Sequence, residues 1–207
     1  MSDIPVITRP AFAGLAVPGR GGRAEGAAGV TLREITGVAA AGLIARKGKA
    51  PDLAAAARRA FGLDPPETPR CAAAAGLSFL GAGPLQWMVR ADGGDSDALA
   101  ARLSQTFDGL ASAAAQGDGR AALRVSGPRA GDALAKGLPV DLHETVFKPG
   151  DVALSVVHHI GVHLWQVDDA PTYDIALFRS FAGSFWRWIT VSSAEFGYDV
   201  LPAGPAD

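Results

Sequence analysis

The chain has 207 residues, 48% hydrophobic and 19% charged, with a formal net charge of −2. That composition can bury a core for one large domain or two small ones and is not that of a disordered chain. The charge balance lacks the basic footprint of a nucleic-acid binder or the polybasic segment of a membrane-surface protein.

Residues 1–29 include the glycine-rich "PGRGGRAEGAAG", with almost no large apolar side chain to offset ordering entropy. They are expected to form a flexible arm that orders against a partner. A phosphate-cradling loop would need a preceding strand, a Gly-Lys-Ser/Thr ending and a following helix, and those are missing. The opening lacks a cationic region followed by an apolar run, so it does not read as a signal peptide. No run of about 18 apolar residues suggests a membrane span. The chain is expected to be cytoplasmic.

Order is expected from Val30, with a buried strand over about Ala39 to Ala45. In "KGKAPDLAAAARRAFG", Pro51 and Asp52 suit a helix start and Gly62 a left-handed end. Leu53, Ala56, Ala57, Ala60 and Phe61 recur on one face. Cys71, the single cysteine, reads as an incidental thiol in a loop. "LSFLGAGPLQWMVRADGG" predicts two strands joined at "GAGP", and "DSDALAARLSQTF" an amphipathic helix with an acidic first turn.

The second half repeats the plan. "GRAALRVSG" reads as a strand. Pro128 then stands at a first helical position and Gly137 at a left-handed cap. "DVALSVVHHIGVHLWQVDDAPTYDIALFRS" alternates over three strands, with turns at "IG" and "DDAPT". "SFAGSFWRWITVSSAEF" predicts a helix capped by Ser180 and buried through Phe181, Phe185, Trp188, Ile189 and Phe196. The halves, about 30–110 and 119–197, each read β-α-β-β-α. The expected fold class is α+β: two split β-α-β-β-α (ferredoxin-like) units packed into one body over 30–197, with a C-terminal tail over 198–207.

Candidate chemistry is sparse. Arg129, in a helical first turn that the dipole disfavours for a cation, suits an anionic ligand or another subunit. His143 suits a capping or solvent-facing place. His158, His159 and His163 invite a zinc reading, but alternation would put His158 and His159 on opposite strand faces, away from a common ion. Polar edge-strand positions fit them better. Asp168 and Asp169 suit a turn, and Ser126 lacks a nucleophile elbow. Trp186 falls about 100° off the buried stripe with Arg187 beside it, a combination favoured at subunit interfaces. Its other reading places Trp186 under the N-terminal arm.

"LSFLGAGPLQWMV", "AALRVSGPRAGDALAKGLPVDLH" and "VHLWQVDDAPTYDIALFRSFAGSFWRWI" together resemble the gamma subunit family of heterotetrameric sarcosine oxidase, over about residues 30–196. The resemblance implies a fold like the folate-binding domain of the glycine-cleavage aminomethyltransferase. It implies alpha, beta and delta partners in a complex that demethylates sarcosine to glycine, passes the one-carbon unit to tetrahydrofolate and produces hydrogen peroxide. FAD, FMN, NAD, tetrahydrofolate and zinc would belong to the other subunits. No catalytic, cofactor-binding or metal residue carries over; Trp186, Arg187 and Arg129 are the candidate subunit contacts. The alternatives are a stand-alone folate-binding or one-carbon-transfer protein, a gamma-like subunit of a related N-methyl amino-acid oxidoreductase, and a small enzyme built on the three histidines.

Overall fold

The computed structural model describes residues 9–67 and 69–205. Among these, the first unit runs β3 (Val38–Ala45), α1 (Ala50–Phe61), β4 (Cys71–Ala74), β5 (Leu77–Gly83), β6 (Gln86–Asp92), α2 (Ser96–Thr106), β7 (Ala111–Ala115). The second runs β8 (Arg120–Ser126), α3 (Ala130–Ala135), β9 (Val152–Val157), β10 (Ile160–Asp168), β11 (Thr172–Phe178), α4 (Ala182–Ser193), β12 (Tyr198–Gly204). Before them come β1 (Gly19–Gly21) and β2 (Val30–Ile35). The repeat is therefore β-α-β-β-β-α-β, one meander strand and one closing strand longer than the sequence pattern suggests.

The strands form two sheets, ordered β4-β5-β6-β3-β7 and β9-β10-β11-β8-β2-β12-β1. In each, the three-stranded meander lies beside the strand that opens the unit. The closing strand β7 pairs directly with β3, whereas β2 inserts between β8 and β12 and runs parallel to β12.

Helices cover only the outer faces. Leu53, Phe79, Leu103 and Phe107 fill the core between α1, α2 and the five-stranded sheet. Leu123, Leu134, Leu164 and Phe185 fill the one between α3, α4 and the seven-stranded sheet. Leu80, Met88, Val152, Trp165 and Ala176 form a third cluster between the sheets. Each fully buried Leu or Phe contributes about 1.5–3 kcal/mol, so the two outer cores dominate stability.

Local signals set the helix ends. Gly62 closes α1 at φ 69°, its N–H donating to the Arg58 carbonyl. The Asp95 carboxylate caps α2 by accepting from the Ala98 N–H at 2.7 Å.

Several expectations are corrected. The part of the 1–29 arm within the described residues is packed: Phe12 is fully buried, and β1 pairs with β12. Its glycines serve close approach. A side chain at Gly22 would put Cβ 2.4 Å from the Ala194 carbonyl oxygen. Residues 1–8 lie outside the described residues. The tail from 198 is strand β12 as far as Gly204; Pro202 sits in the register shift between Leu201 and Gly204, where a missing N–H is tolerated. Residues 206 and 207 lie outside the described residues.

Ser180 does not cap α4. It lies in a 3-10 turn, Arg179–Phe181, and Phe181 is exposed rather than on the buried stripe. Gly137 is not left-handed; a Cβ there would meet the Trp188 indole nitrogen at 2.8 Å, so the requirement is space. Pro128 lies in the turn ahead of α3 rather than inside it. Cys71 opens strand β4 and is half-buried, not in a loop. The β9–β10 turn falls at His158–His159, both with positive φ (45° and 69°), and not at "IG".

Candidate functional site

The inner faces of the sheets carry the chemistry. Along β11, Tyr173, Ile175 and Leu177 point into the helical core, so Asp174, Ala176 and Phe178 face the other sheet. The same alternation turns Arg120 and Arg124 of β8, His163 and Trp165 of β10, and Met88 and Arg90 of β6 inward.

Asp174 is 1% exposed. It accepts two hydrogen bonds from Arg124, at 2.7 and 3.1 Å, and Arg90 lies 3.9 Å away. The Arg90 guanidinium also stacks over Trp165, 4.6 Å from the ring centroid. The buried carboxylate is committed to its cations, and the three groups bridge the sheets.

His163 is buried, and its Nε2–H donates to the Gly81 carbonyl of β5 at 3.0 Å. A carbonyl oxygen only accepts, which fixes the proton on Nε2. Burial, the largest cause, lowers the pKa to about 4; the Gly81 hydrogen bond opposes it, and the nearby Arg120 and Arg90 charges lower it further. The ring is therefore neutral at physiological pH.

Two cavities open between the sheets. The apolar one, about 560 Å³, includes Trp87, Arg120, Leu154, Val156, His163 and Phe178 in its walls. The other, about 1070 Å³, runs beneath the N-terminal segment past Arg9, Glu34, Arg90, Asp97 and Arg179. Arg120 reaches both. Its guanidinium stacks 4.2 Å above the Phe178 ring, and its Nε is buried with no hydrogen-bond partner. Burial lowers its pKa.

The residues singled out from sequence are scattered. Trp186 is half-buried with its ring 5.9 Å from that of Phe12, so the N-terminal segment covers it; Arg187 is exposed. Arg129 pairs with Asp132 and stacks over Phe196, which lies in the 3-10 turn that follows α4. His143 is exposed, with Nδ1 2.8 Å from the Thr145 hydroxyl. The three clustered histidines part: His158 and His159 make the turn, and His163 is interior. His163 is not an edge-strand residue, since β10 lies between β9 and β11. Among the described residues no group of three or more His, Cys, Asp or Glu side chains could hold a metal ion. Burial raises the Cys71 thiol pKa, which disfavours the thiolate. Asp168 ends β10 and Asp169 opens the next turn, both exposed. Asp174, Arg124 and Arg120 were missed; the signal was the alternation of "YDIALF" and "RAALR", which sends charges to one strand face.

The sequence model of the sarcosine oxidase gamma subunit family matches residues 46–195. The chain belongs to that family. Among solved structures, a chain of the heterotetrameric sarcosine oxidase from Corynebacterium sp. U-96, in complex with pyrrole 2-carboxylate, superposes with a TM-score of 0.77 at 26% identity. That match covers 91% of this chain and 96% of the other. The glycine cleavage system aminomethyltransferase T from Bartonella henselae superposes with a TM-score of 0.61 at 15% identity, over 86% of this chain and 48% of that one. This second likeness is one of fold, shared between the gamma subunit family and part of a longer enzyme. No curated protein sequence matches the chain.

Proposed function

We propose that this chain is the gamma subunit of a heterotetrameric sarcosine oxidase, assembling with alpha, beta and delta subunits. The observation that carries the reading is the near end-to-end superposition on a chain of the Corynebacterium enzyme, 91% of one and 96% of the other, within a family match over 46–195. The complex demethylates sarcosine oxidatively to glycine, passes the one-carbon unit to tetrahydrofolate and releases hydrogen peroxide. FAD, FMN, NAD, tetrahydrofolate and zinc reside on the other subunits, and the assembly is cytoplasmic.

In this reading the chain performs no step of the reaction itself. Support comes from how its buried polar groups are engaged: Asp174 holds Arg124, and His163 holds the Gly81 carbonyl. Such groups build a scaffold. Arg187 and Arg129 are the contact residues proposed on its helical side, with Trp186 beneath the N-terminal segment beside them. The test is to isolate the tagged chain from its source cells under mild conditions, then record visible absorption and sarcosine-dependent oxygen uptake. Flavin absorption and uptake in the isolate support the reading; a colourless, inactive isolate that binds folate opposes it.

A further inference from the structure

The sandwich is not closed everywhere. Ile44 of β3, Leu154 and Val156 of β9, and Phe178 of β11 are 52%, 56%, 51% and 48% exposed. All four lie on inner strand faces. Leu154 and Val156 alternate with Ala153 and Val157, which join the helical core, and Ile44 follows Leu43, which does the same on the other sheet. They rim the 560 Å³ cavity. Arg120 lies within the same mouth. Its guanidinium makes no hydrogen bond or ion pair among the described residues, unlike Arg124, which pairs with Asp174 four residues further along the same face of β8.

We propose that this mouth is the docking site for a segment of a larger subunit that inserts apolar side chains between the sheets and brings one carboxylate to Arg120. The proposal rests on the reading of the chain as a gamma subunit. Charge complementarity selects the occupant. A partly buried guanidinium without a counter-charge is costly, and a carboxylate can meet it with two parallel hydrogen bonds in a site that excludes water. The same cation disfavours a purely apolar segment. A small carboxylate would satisfy Arg120 but leave the four rim side chains wet, and an exposed apolar patch of this kind marks a macromolecular interface.

The experiment titrates the wild-type chain and two variants against the larger subunits. Arg120→Met keeps a flexible stem against Phe178 and removes the charge. The double variant Leu154→Ser/Val156→Ser makes the exposed rim polar. Both are expected to weaken association on the order of 10- to 100-fold, and Arg120→Met is expected to keep or raise the unfolding midpoint, since an unpaired cation has gone. A charge needed only for folding would lower that midpoint instead. Wild-type affinity in both variants overturns the proposal alone. Arg120-dependent binding of benzoate by the isolated chain, with assembly unaffected, overturns it in favour of a small-molecule site. Failure of the wild-type chain to associate overturns both this proposal and the gamma-subunit reading.

Discussion

His163 of β10 reaches across the interior and donates its Nε2–H to the Gly81 carbonyl of β5, 3.0 Å away, so one neutral imidazole pins the seven-stranded sheet to the five-stranded one. This pin makes the sandwich sensitive to acid. The folded-state pKa is about 4, below the ordinary 6.5. As pH falls, the unfolded chain takes the proton first, so stability is full above pH 6.5 and is lost progressively down to about 4. The loss from this group amounts to about 3 kcal/mol. Urea midpoints at pH 7.5 and 4.5 should fall more steeply for the wild type than for His163→Asn. Equal falls would remove the imidazole from the account.

Asp174 is the second link. Replacing it with Asn removes the buried charge that Arg124 and Arg90 share. A loss of about 3–5 kcal/mol is expected, read from urea unfolding at neutral pH. A change under 1 kcal/mol would mean that water reaches and screens these cations.

Gly137 and Trp188 test a packing argument. An added methyl at 137 meets the indole at 2.8 Å, so Gly137→Ala should cost about 1–3 kcal/mol and alter the near-ultraviolet signal of Trp188. Were the glycine instead a left-handed cap, the same variant would lose stability while the indole signal stayed as in the wild type.

Phe12 tests the N-terminal segment. Its side chain is fully buried against the core and lies beside Trp186, and its N–H donates to the Glu34 carboxylate at 3.1 Å. Phe12→Ala should cost about 3–5 kcal/mol and shift tryptophan emission to the red. Unchanged emission and stability would return residues 9–29 to the status of a loose arm.

The sequence was most legible where one physical signal dominated. Period-3.6 stripes, the Gly62 end and the acidic first turn of "DSDALAARLSQTF" located α1 and α2, and alternation located β11 and most of β10. It was least legible where strands lacked β-branched or aromatic residues. "CAAA" of β4 and "ASAAA" of β7 carry no strand propensity, and β1 is "GRG"; their place comes from pairing with neighbours. The histidines misled because two of them occupy positive φ in a two-residue turn, a conformation more often given to Asn or Gly. The charged interior was hidden because a charge in a strand reads as solvent-facing until a second sheet is known to cover that face.

Membership of a four-chain assembly is open to native mass spectrometry of the mildly isolated complex. One copy of this 21.1 kDa chain together with three different partner chains is expected. A single species at 21.1 kDa, or a homo-oligomer of it, under conditions that preserve other complexes would contradict it.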